Sequence, residues 1–322
     1  MKRVEKREGE FNIVVSDVDR PEPMETEVLI RAEKSLISRG SELWRRYCRA
    51  EAIDHDRMGY SLTGTITEVG DEVEQFEPGD RVAAVAPHAE YVAVDVEEPR
   101  PGPTVVHLPD EVSMEAGTVW PLATSAVLWI WTCDPGNEET VVVQGQGLVG
   151  SLCMQVASVD TAARVVAIDA LPLRCALAER LGADAVVDLT ERDPVTAVDD
   201  LTDGGGAEVV IEAVGGPAGV EAFDQAQDMV ASGGLLQVLG LYEDEPLPLD
   251  SRRIQNRRLV GGYLDPSDRP EASYRALSLL AGGDIETAEM ITHRFDGGEA
   301  ADAFDFLYER PEDALGVLLV WQ

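Results

Sequence analysis

The stretch from Thr140 to Gly150 constrains the fold of this chain more than any other. A β-branched run, Thr140-Val-Val-Val, leads into the pattern Gly145-x-Gly147-x-x-Gly150, and apolar residues at helical spacing follow. A glycine-rich turn between a buried strand and a helix lets the pyrophosphate of a dinucleotide approach bare backbone, where the first N–H groups of the helix are unpaired. The stretch therefore predicts a dinucleotide site formed by Gly145, Gln146, Gly147, Leu148, Val149 and Gly150.

Strand and helix patterns alternate after this turn. The predicted strands are Ala163–Asp169, Ala185–Asp188, Glu208–Val214, Gly234–Gly240 and Arg258–Gly261, each separated from the next by a helical or glycine-rich segment. Strands connected in this way pair in parallel, with right-handed crossovers over the two faces of a sheet. Together with the strand before Gly145 they predict an α/β unit, a doubly wound parallel sheet of the Rossmann type.

Asp169 is the candidate ligand for the adenosine ribose. It ends the second predicted strand, about 20 residues after the last glycine of the turn, where a carboxylate accepts hydrogen bonds from ribose hydroxyls. The residues that follow it contain no immediate arginine, so a 2′-phosphate would meet like charge, and NAD is favoured over NADP. Arg174 is a second candidate for the ribose. The alternatives are a solvated acid at Asp169 and a surface arginine at Arg174.

The first third of the chain has a different pattern. Short segments of strand composition alternate with turn formers such as Gly70-Asp71 and Pro78-Gly79-Asp80. This pattern suggests a partly open β-barrel. Met114 to Trp131 is predicted to be helical and leads into the dinucleotide stretch.

The chain is strongly acidic. Asp and Glu number 61 against 26 Lys and Arg, which gives a formal net charge of -35. Such a surface is typical of salt-adapted proteins, because high ionic strength screens the self-repulsion. Binding of cations or basic partners is an alternative interpretation. No basic face is available for nucleic acid, so a small-molecule partner is expected.

Cysteine spacing and hydropathy indicate a cytoplasmic protein. Cys48, Cys133, Cys153 and Cys175 are far apart and form no CxxC motif, which argues against a zinc cluster or a disulfide framework. The most apolar run, Val119 to Trp131, is too short to span a bilayer. No membrane association is expected.

Several segments, taken in order, resemble the medium-chain dehydrogenase/reductases. They are Gly70-Asp71 with Pro78-Gly-Asp-Arg-Val82, Pro121-Leu-Ala-Thr124, Gly145-Gln-Gly-Leu-Val-Gly150, Leu181-Gly-Ala-Asp184 and Ile291-Thr-His-Arg-Phe295. The resemblance implies a GroES-like β-barrel catalytic domain at residues 1–136, completed by 263–322, and a Rossmann domain at 137–262. It also implies a homodimer formed through the edge of the Rossmann sheet. By the same resemblance Thr124, Val214, Leu239 and Gly240 flank a nicotinamide.

The zinc ligands of that family are missing from the matching positions. Ser38-Arg-Gly-Ser-Glu42, Gly59-Tyr-Ser61 and Trp120-Pro-Leu122 stand where the catalytic ligands would be, and Glu97 to Pro103 replaces the four-cysteine lobe. Zinc needs imidazole, thiolate or carboxylate ligands in a fixed geometry. The sequence therefore predicts a zinc-free protein, similar to the zinc-less branch called threonine-dehydrogenase-like or bacteriochlorophyllide-dehydrogenase-like.

Without zinc, hydrogen-bond donors must stabilise charge on the substrate oxygen. Ser41, which matches the family's proton-relay hydroxyl, Tyr60 and His88 are the candidates, and Glu42 is expected to hold its loop. Ser41 could instead satisfy local backbone, Tyr60 could form an aromatic wall, and His88 could be a structural donor.

The leading hypothesis is a zinc-independent NAD(P)(H)-dependent oxidoreductase. It would transfer hydride between nicotinamide and an alcohol, a ketone or an activated alkene of a small organic molecule. The alternatives are an NADPH-dependent quinone or enone reductase and a non-catalytic dinucleotide-binding protein.

Overall fold

The computed structural model describes residues 1–97, 102–242, 245–262 and 266–321. The chain divides into two compact units, Met1–Thr124 with Pro266–Gln322, and Ser125–Asp265. The first division, between Thr124 and Ser125, lies inside a helix and before the predicted boundary at residue 136. The predicted second boundary, 262/263, borders on residues 263–265, which are outside the described ranges. Residues 98–101, in the segment that replaces the cysteine lobe, are outside them as well.

The elements follow one another in three groups. The first group comprises β1 (Lys2–Lys6), β2 (Ile13–Asp17), β3 (Glu27–Ile37), a π-helix (Arg39–Tyr47), β4 (Leu62–Val69), β5 (Arg81–Ala84), β6 (Tyr91–Asp95), β7 (Val105–His107), α1 (Met114–Gly117) and α2 (Trp120–Cys133). The second comprises β8 (Thr140–Gln144), α3 (Leu148–Asp160), β9 (Arg164–Asp169), α4 (Pro172–Arg180), β10 (Ala185–Asp188), α5 (Pro194–Leu201), β11 (Ala207–Glu212), α6 (Gly219–Met229), β12 (Val230–Val238) and β13 (Arg258–Gly261). The third comprises α7 (Arg269–Gly282), β14 (Ile291–Asp296), α8 (Ala300–Glu309) and β15 (Gly316–Val320).

The long strand β3 organises the first unit. It pairs with β4 along one side, and along the other with β6 through residues 27–31 and with β15 through residues 34–37. The sheet order is β14-β15-β3-β4-β5-β7 with β6 on β3, and β1 and β2 form a separate hairpin. Apolar residues of β3, β4, α8 and β15 share one core, so the C-terminal segment completes the sheet begun by the first third of the chain.

The second unit contains the predicted doubly wound sheet. Its strand order is β10-β9-β8-β11-β12-β13, and every pairing is parallel. Gln144 at the end of β8 pairs with Ile168 and with Glu212, and Glu212 pairs with Val238. The carboxyl ends of these strands therefore lie in register, and the loops after them meet at one edge, where ligands bind in sheets of this topology. The α/β fold class is confirmed.

Some element boundaries differ from the prediction. The predicted helix from Met114 to Trp131 is two helices, α1 and α2, and Pro121 lies in the first turn of α2, where a missing N–H costs nothing. β11 and β12 end two residues earlier than predicted, because the Glu212 carbonyl accepts the N–H groups of Leu239 and Gly240 and turns the chain. The π-helix was not predicted. Within the described ranges, no helix has the length and apolarity needed to cross a bilayer.

Candidate functional site

The glycine turn between β8 and α3 gives each glycine a separate role. Gly145 has φ +91, a conformation that favours glycine. A Cβ on Gly150 would lie 1.7 Å from the Gly145 carbonyl oxygen, so close packing requires glycine there. Gly147 has an ordinary φ of -70, and a Cβ there would meet no atom within 4 Å. Gly147 is therefore not needed for folding, and it leaves the N-terminus of α3 open.

The N-terminus of α3 carries donors suited to an anion. Gly147 is its N-cap residue and supplies no side-chain hydrogen bond, and the first turn contains no acidic residue. The N–H groups of Leu148, Val149 and Gly150 belong to the first turn, where an α-helix has no internal acceptor for them. The turn thus offers backbone donors and free space at one place.

Asp169 ties the second strand to this turn. Its side chain is 6% exposed, and its carboxylate accepts the N–H of Gln146 at 2.6 Å and the N–H of Leu171 at 2.9 Å. Arg174 Nη1 lies 3.6 Å from Asp169 Oδ2, and its side chain is 13% exposed. The Arg174 Nε is buried and has no hydrogen-bond partner within the described ranges. The predicted ribose pair is therefore assembled next to the glycine turn.

Gln146 differs from the prediction. It was expected to contact a pyrophosphate, but its N–H is bonded to Asp169, and its fully buried side chain donates to the Val143 carbonyl at 2.8 Å. The Gln146 N–H is thus not among the open donors of the turn. The sequence could not show this, because both partners of Gln146 are decided by how the turn closes on β9.

The buried Glu212 accepts hydrogen bonds from three of the residues expected to flank a nicotinamide. Glu212, at the end of β11, accepts the Val214 N–H on Oε1 at 2.6 Å, and its carbonyl accepts Leu239 and Gly240 at 2.7 and 3.0 Å. Val214 also adjoins the glycine turn, since a Cβ on Gly145 would lie 2.7 Å from Val214 Cγ2. The sequence reasoning missed Glu212. The signal was an acid at the end of an apolar strand, the same signal that marked Asp169.

Thr124 lies in α2 and is the last residue of the N-terminal part of the first unit. It is buried, and its hydroxyl donates to the Trp120 carbonyl at 2.9 Å. This bond uses the hydroxyl proton and leaves the oxygen able to accept a further hydrogen bond. Thr124 is thus an acceptor rather than a donor for any ligand.

The candidate residues Ser41 and Tyr60 lie in the first unit, and both are half-buried. Ser41 is in the first turn of the π-helix. Its neighbour Glu42 is fully buried and accepts the Ser38 N–H on Oε1 at 2.9 Å. Glu42 therefore holds the loop that carries Ser41, as predicted from the sequence.

His88 does not fit the prediction of a donor to substrate. It is fully buried, its Nε2 lies 2.7 Å from Glu42 Oε2, and its Nδ1 lies 2.8 Å from Ser35 Oγ. Both ring nitrogens are occupied within the unit, so neither is available to a bound molecule. The partners come from β3 and the π-helix, and nothing local in the sequence around His88 indicates them.

The donor set does not match a zinc centre. Arg39 lies in the stretch that matches the cysteine motif, and its Nη1 donates to the Leu307 carbonyl at 2.8 Å. Within the described ranges, no three His, Cys, Asp or Glu side chains are grouped so that they could hold a metal ion. Burial raises the pKa of Cys133 to about 12 and that of Cys175 to about 11, which keeps these thiols protonated and poor as ligands.

Comparisons with known proteins agree with this architecture. Residues 149–281 match the family described as zinc-binding dehydrogenase. The L-threonine 3-dehydrogenase of Bacillus subtilis (strain 168) is 26% identical, with 95% of each chain covered, and that of Thermococcus kodakarensis is 26% identical, with 96% of this chain and 94% of the relative covered.

Solved structures show the same fold. The alcohol dehydrogenase TADH from Thermus sp. ATN1 superposes with a TM-score of 0.84 at 24% identity and covers 100% of both chains. A quinone oxidoreductase of Pseudomonas syringae pv. tomato DC3000 superposes with a TM-score of 0.83 at 22% identity and covers 99% of each. These relatives are oxidoreductases of the alcohol dehydrogenase and quinone oxidoreductase type. The chain is thus similar to a zinc-binding dehydrogenase family over residues 149–281 and shares its fold with solved alcohol dehydrogenase and quinone oxidoreductase structures.

Proposed function

We propose that this protein is a zinc-independent, NAD(H)-preferring oxidoreductase. It transfers hydride between a nicotinamide and an alcohol, a ketone or an activated alkene of a small organic molecule. The observation that carries the proposal is the open space at Gly147, in front of an uncapped helix N-terminus and beside a buried carboxylate. The backbone conformation at residue 147 does not require glycine, yet the glycine there leaves open space at an anion-binding position. Such a position is suited to a dinucleotide pyrophosphate.

The preference for NAD rests on Asp169. A carboxylate accepts hydrogen bonds from ribose hydroxyls, and the two backbone donors of Asp169 fix its carboxylate in place. The same charge repels a 2′-phosphate. Val149 and Leu148 would donate their N–H groups to the pyrophosphate, and Val214, Leu239 and Gly240 would line the nicotinamide.

The cofactor supplies or accepts the hydride, and the protein must manage the proton on the substrate oxygen. Ser41 and Tyr60 carry the hydroxyl groups proposed for that role, as donors to the oxygen in reduction and as acceptors in oxidation. A hydroxyl donor stabilises developing negative charge on oxygen by hydrogen bonding, which is the task zinc performs in many dehydrogenases. His88 is excluded from this role by its two internal hydrogen bonds.

Zinc independence is supported by the chemistry of the side chains at the matching positions. Arginine and tyrosine replace ligands that zinc requires, and Arg39 is bound to a backbone carbonyl. The protein is proposed to belong to a zinc-less branch of its relatives. Elemental analysis of purified protein should find far less than one zinc per chain, and a strong chelator should leave turnover unchanged. About one zinc per chain, or loss of turnover with the chelator, would contradict this part of the proposal.

The test of the cofactor site is Gly147→Ala, with Gly261→Ala as its control. Neither glycine has a positive φ, and a Cβ at either meets no atom within 4 Å, so both variants should fold normally. A methyl at Gly147 would occupy the space of the pyrophosphate, and NADH affinity should fall at least about tenfold, a loss of ~1.4 kcal/mol. The control should bind NADH as the unmodified protein does. Equal NADH affinity in both variants would refute the proposed site.

An NADPH-dependent quinone or enone reductase is the second candidate. The buried Nε of Arg174, which has no partner within the described ranges, favours it, since a guanidinium is suited to a 2′-phosphate. NADPH binding at least as tight as NADH binding would select it. Turnover should be measured over alcohols including L-threonine, ketones, enones and quinones. NADH binding without turnover on the whole panel would favour a non-catalytic dinucleotide-binding protein.

We also propose a homodimer and a reducing, cytoplasmic environment. β13 is the last strand in the sheet order, and its Leu259 is 44% exposed, which supports pairing of this edge with a second copy. The four cysteines form no disulfide with one another, as expected in a reducing compartment. Leu259→Glu should convert the dimer into a monomer in light-scattering measurements.

A further inference from the structure

A continuous chain of buried hydrogen bonds crosses the first unit. Trp321 Nε1 donates to Ser35 Oγ at 2.9 Å, and Ser35 Oγ lies 2.8 Å from His88 Nδ1. His88 Nε2 lies 2.7 Å from Glu42 Oε2, and Glu42 Oε1 accepts the Ser38 N–H at 2.9 Å. All five residues are buried, with Ser35, Glu42 and His88 fully enclosed. This series of hydrogen bonds joins the C-terminal segment, β3 and the π-helix.

The chemistry of the two ends fixes the outer hydrogen bonds of this series. An indole N–H can only donate, and an ionised carboxylate can only accept. Ser35 Oγ accepts from Trp321 and can donate its own proton to His88 Nδ1. With Ser35 as the donor to Nδ1, the His88 proton lies on Nε2 and is donated to Glu42. Partners on both sides thus hold the imidazole in one orientation.

Glu42, at one end of this series of hydrogen bonds, binds the segment that carries Ser41. The N-cap residue of the π-helix, Ser38, makes no side-chain capping bond. Its N–H is bound by the Glu42 carboxylate, so the first turn, with Ser41 inside it, closes on a group whose position His88 sets. A first turn held in this way is more rigid than one whose donors face water.

The same imidazole adjoins the segment that carries Tyr60. The backbone N–H of His88 donates to the Met58 carbonyl at 2.6 Å. Gly59 has φ +102, and a Cβ there would lie 2.8 Å from His88 Cγ and Cδ2. Only a glycine fits between Met58 and Tyr60 while the ring is in this place. One buried histidine thus contacts both segments that bear candidate hydroxyl groups.

We propose that His88 is a positioning residue that fixes Ser41 and Tyr60 relative to each other, through Glu42 on one side and Gly59 on the other. The catalytic meaning of this arrangement rests on the proposed function, because it assumes that Ser41 and Tyr60 act on the substrate. The structural claim does not: the two segments should lose order together when the imidazole is replaced. A displacement of about 1 Å in a reacting group can cost about 100-fold in rate.

The experiment compares His88→Phe with His107→Phe, whose side chain is 58% exposed in the same unit. Amide hydrogen exchange is measured over residues 38–43 and 58–61. In His88→Phe exchange should rise at least about tenfold in both segments, and in His107→Phe in neither. Faster exchange in one segment alone, or in neither, would overturn the proposal.

Two further variants cover the case in which His88→Phe does not fold, since that change leaves the Glu42 carboxylate buried without its partner. Ser35→Ala removes the hydroxyl partner of His88 Nδ1, and Glu42→Gln keeps the shape of the Nε2 partner. In the unmodified protein, ¹⁵N NMR of the imidazole should show the Nε2–H tautomer alone. Ser35→Ala should lose this single-tautomer signature, and Glu42→Gln should partly keep it. A mixed tautomer in the unmodified protein would overturn the proposal.

Kinetics separate this inference from the proposed function. In His88→Phe, kcat should fall about 10- to 100-fold, while the Kd for NADH, bound by the other unit, stays within about twofold. Full kcat in a variant whose two segments have lost protection would overturn the positioning role. Absence of turnover in the unmodified protein would refute the proposed function, and hydrogen exchange and the tautomer would still decide whether His88 holds the two segments.

Discussion

Replacing Asp169 by Asn tests whether its carboxylate stabilises the glycine turn and whether it binds the ribose of the cofactor. The group is 6% exposed and accepts two backbone N–H groups, from Gln146 and Leu171, one on each oxygen. Asn keeps the size but offers one oxygen and one NH₂, so one of the two donors would face another donor. A buried hydrogen bond to a charged group is worth about 1.5–3 kcal/mol, and the free energy of unfolding should fall by a similar amount.

Cofactor affinity should change as well. If Asp169 binds the ribose, its charge-assisted hydrogen bond is lost, and the same 1.5–3 kcal/mol corresponds to an increase of about 10- to 150-fold in the Kd for NADH. The affinity for NADPH should fall less, because removal of the carboxylate relieves repulsion of a 2′-phosphate and frees Arg174, whose Nη1 lies 3.6 Å from Asp169 Oδ2. The ratio of the two Kd values should therefore shift toward NADPH.

The assay is a titration with NADH and NADPH by nucleotide fluorescence, combined with urea unfolding of the same samples. Asp188→Asn is the control, because Asp188 also ends a strand and accepts hydrogen bonds from the next turn, from Thr190 N at 2.8 Å and Thr190 Oγ1 at 2.7 Å. It should leave both nucleotide affinities unchanged. An unchanged ratio of NADPH to NADH affinity in Asp169→Asn would refute the assignment as a ribose ligand. Reduced stability alone would limit Asp169 to holding the turn.

Two further predictions concern stability. Burial, together with a hydrogen bond to Asp305, raises the pKa of the Tyr47 phenol well above its usual 10.0. The folded chain thus keeps a proton that the unfolded chain releases above about pH 10, so the free energy of unfolding should fall there by up to ~1.4 kcal/mol per pH unit. Tyr47→Phe should reduce this slope. Urea unfolding from pH 8 to 11 would measure it. The net charge of -35 predicts that thermal stability falls as the salt concentration drops from about 1 M to about 0.01 M, where the Debye length grows from about 3 to 30 Å; undiminished stability in dilute buffer would contradict salt adaptation.

Local patterns were sufficient for the second unit. The spacing of Gly145, Gly147 and Gly150, the run of β-branched residues before them and the acid at the end of the next strand are all contiguous features. They predict a strand, a turn and a helix because backbone conformation and strand periodicity depend on neighbouring residues. Parallel pairing then follows from the alternation of strands and helices, so the fold class could be predicted before any contact was known.

The contacts of the candidate side chains were decided only by the tertiary structure. Gln146 was expected to face a ligand, yet its N–H is bound by Asp169, which is 23 residues away in the chain. His88 was expected to donate to a substrate, yet its partners are Ser35 and Glu42, and Ser35 is bound in turn by Trp321, which is 286 residues away.

The physical reason lies in the range of each effect. A turn or a strand is encoded by residues adjacent in the chain, and so is the presence of a hydroxyl, an imidazole or a carboxylate. Whether that group is buried, and which donor or acceptor satisfies it, depends on residues that only folding brings together. The sequence by itself thus determined the glycine turn, the parallel sheet and the lack of zinc ligands at the matching positions. The tertiary structure decided that Asp169 closes the turn and that His88 lies in the core.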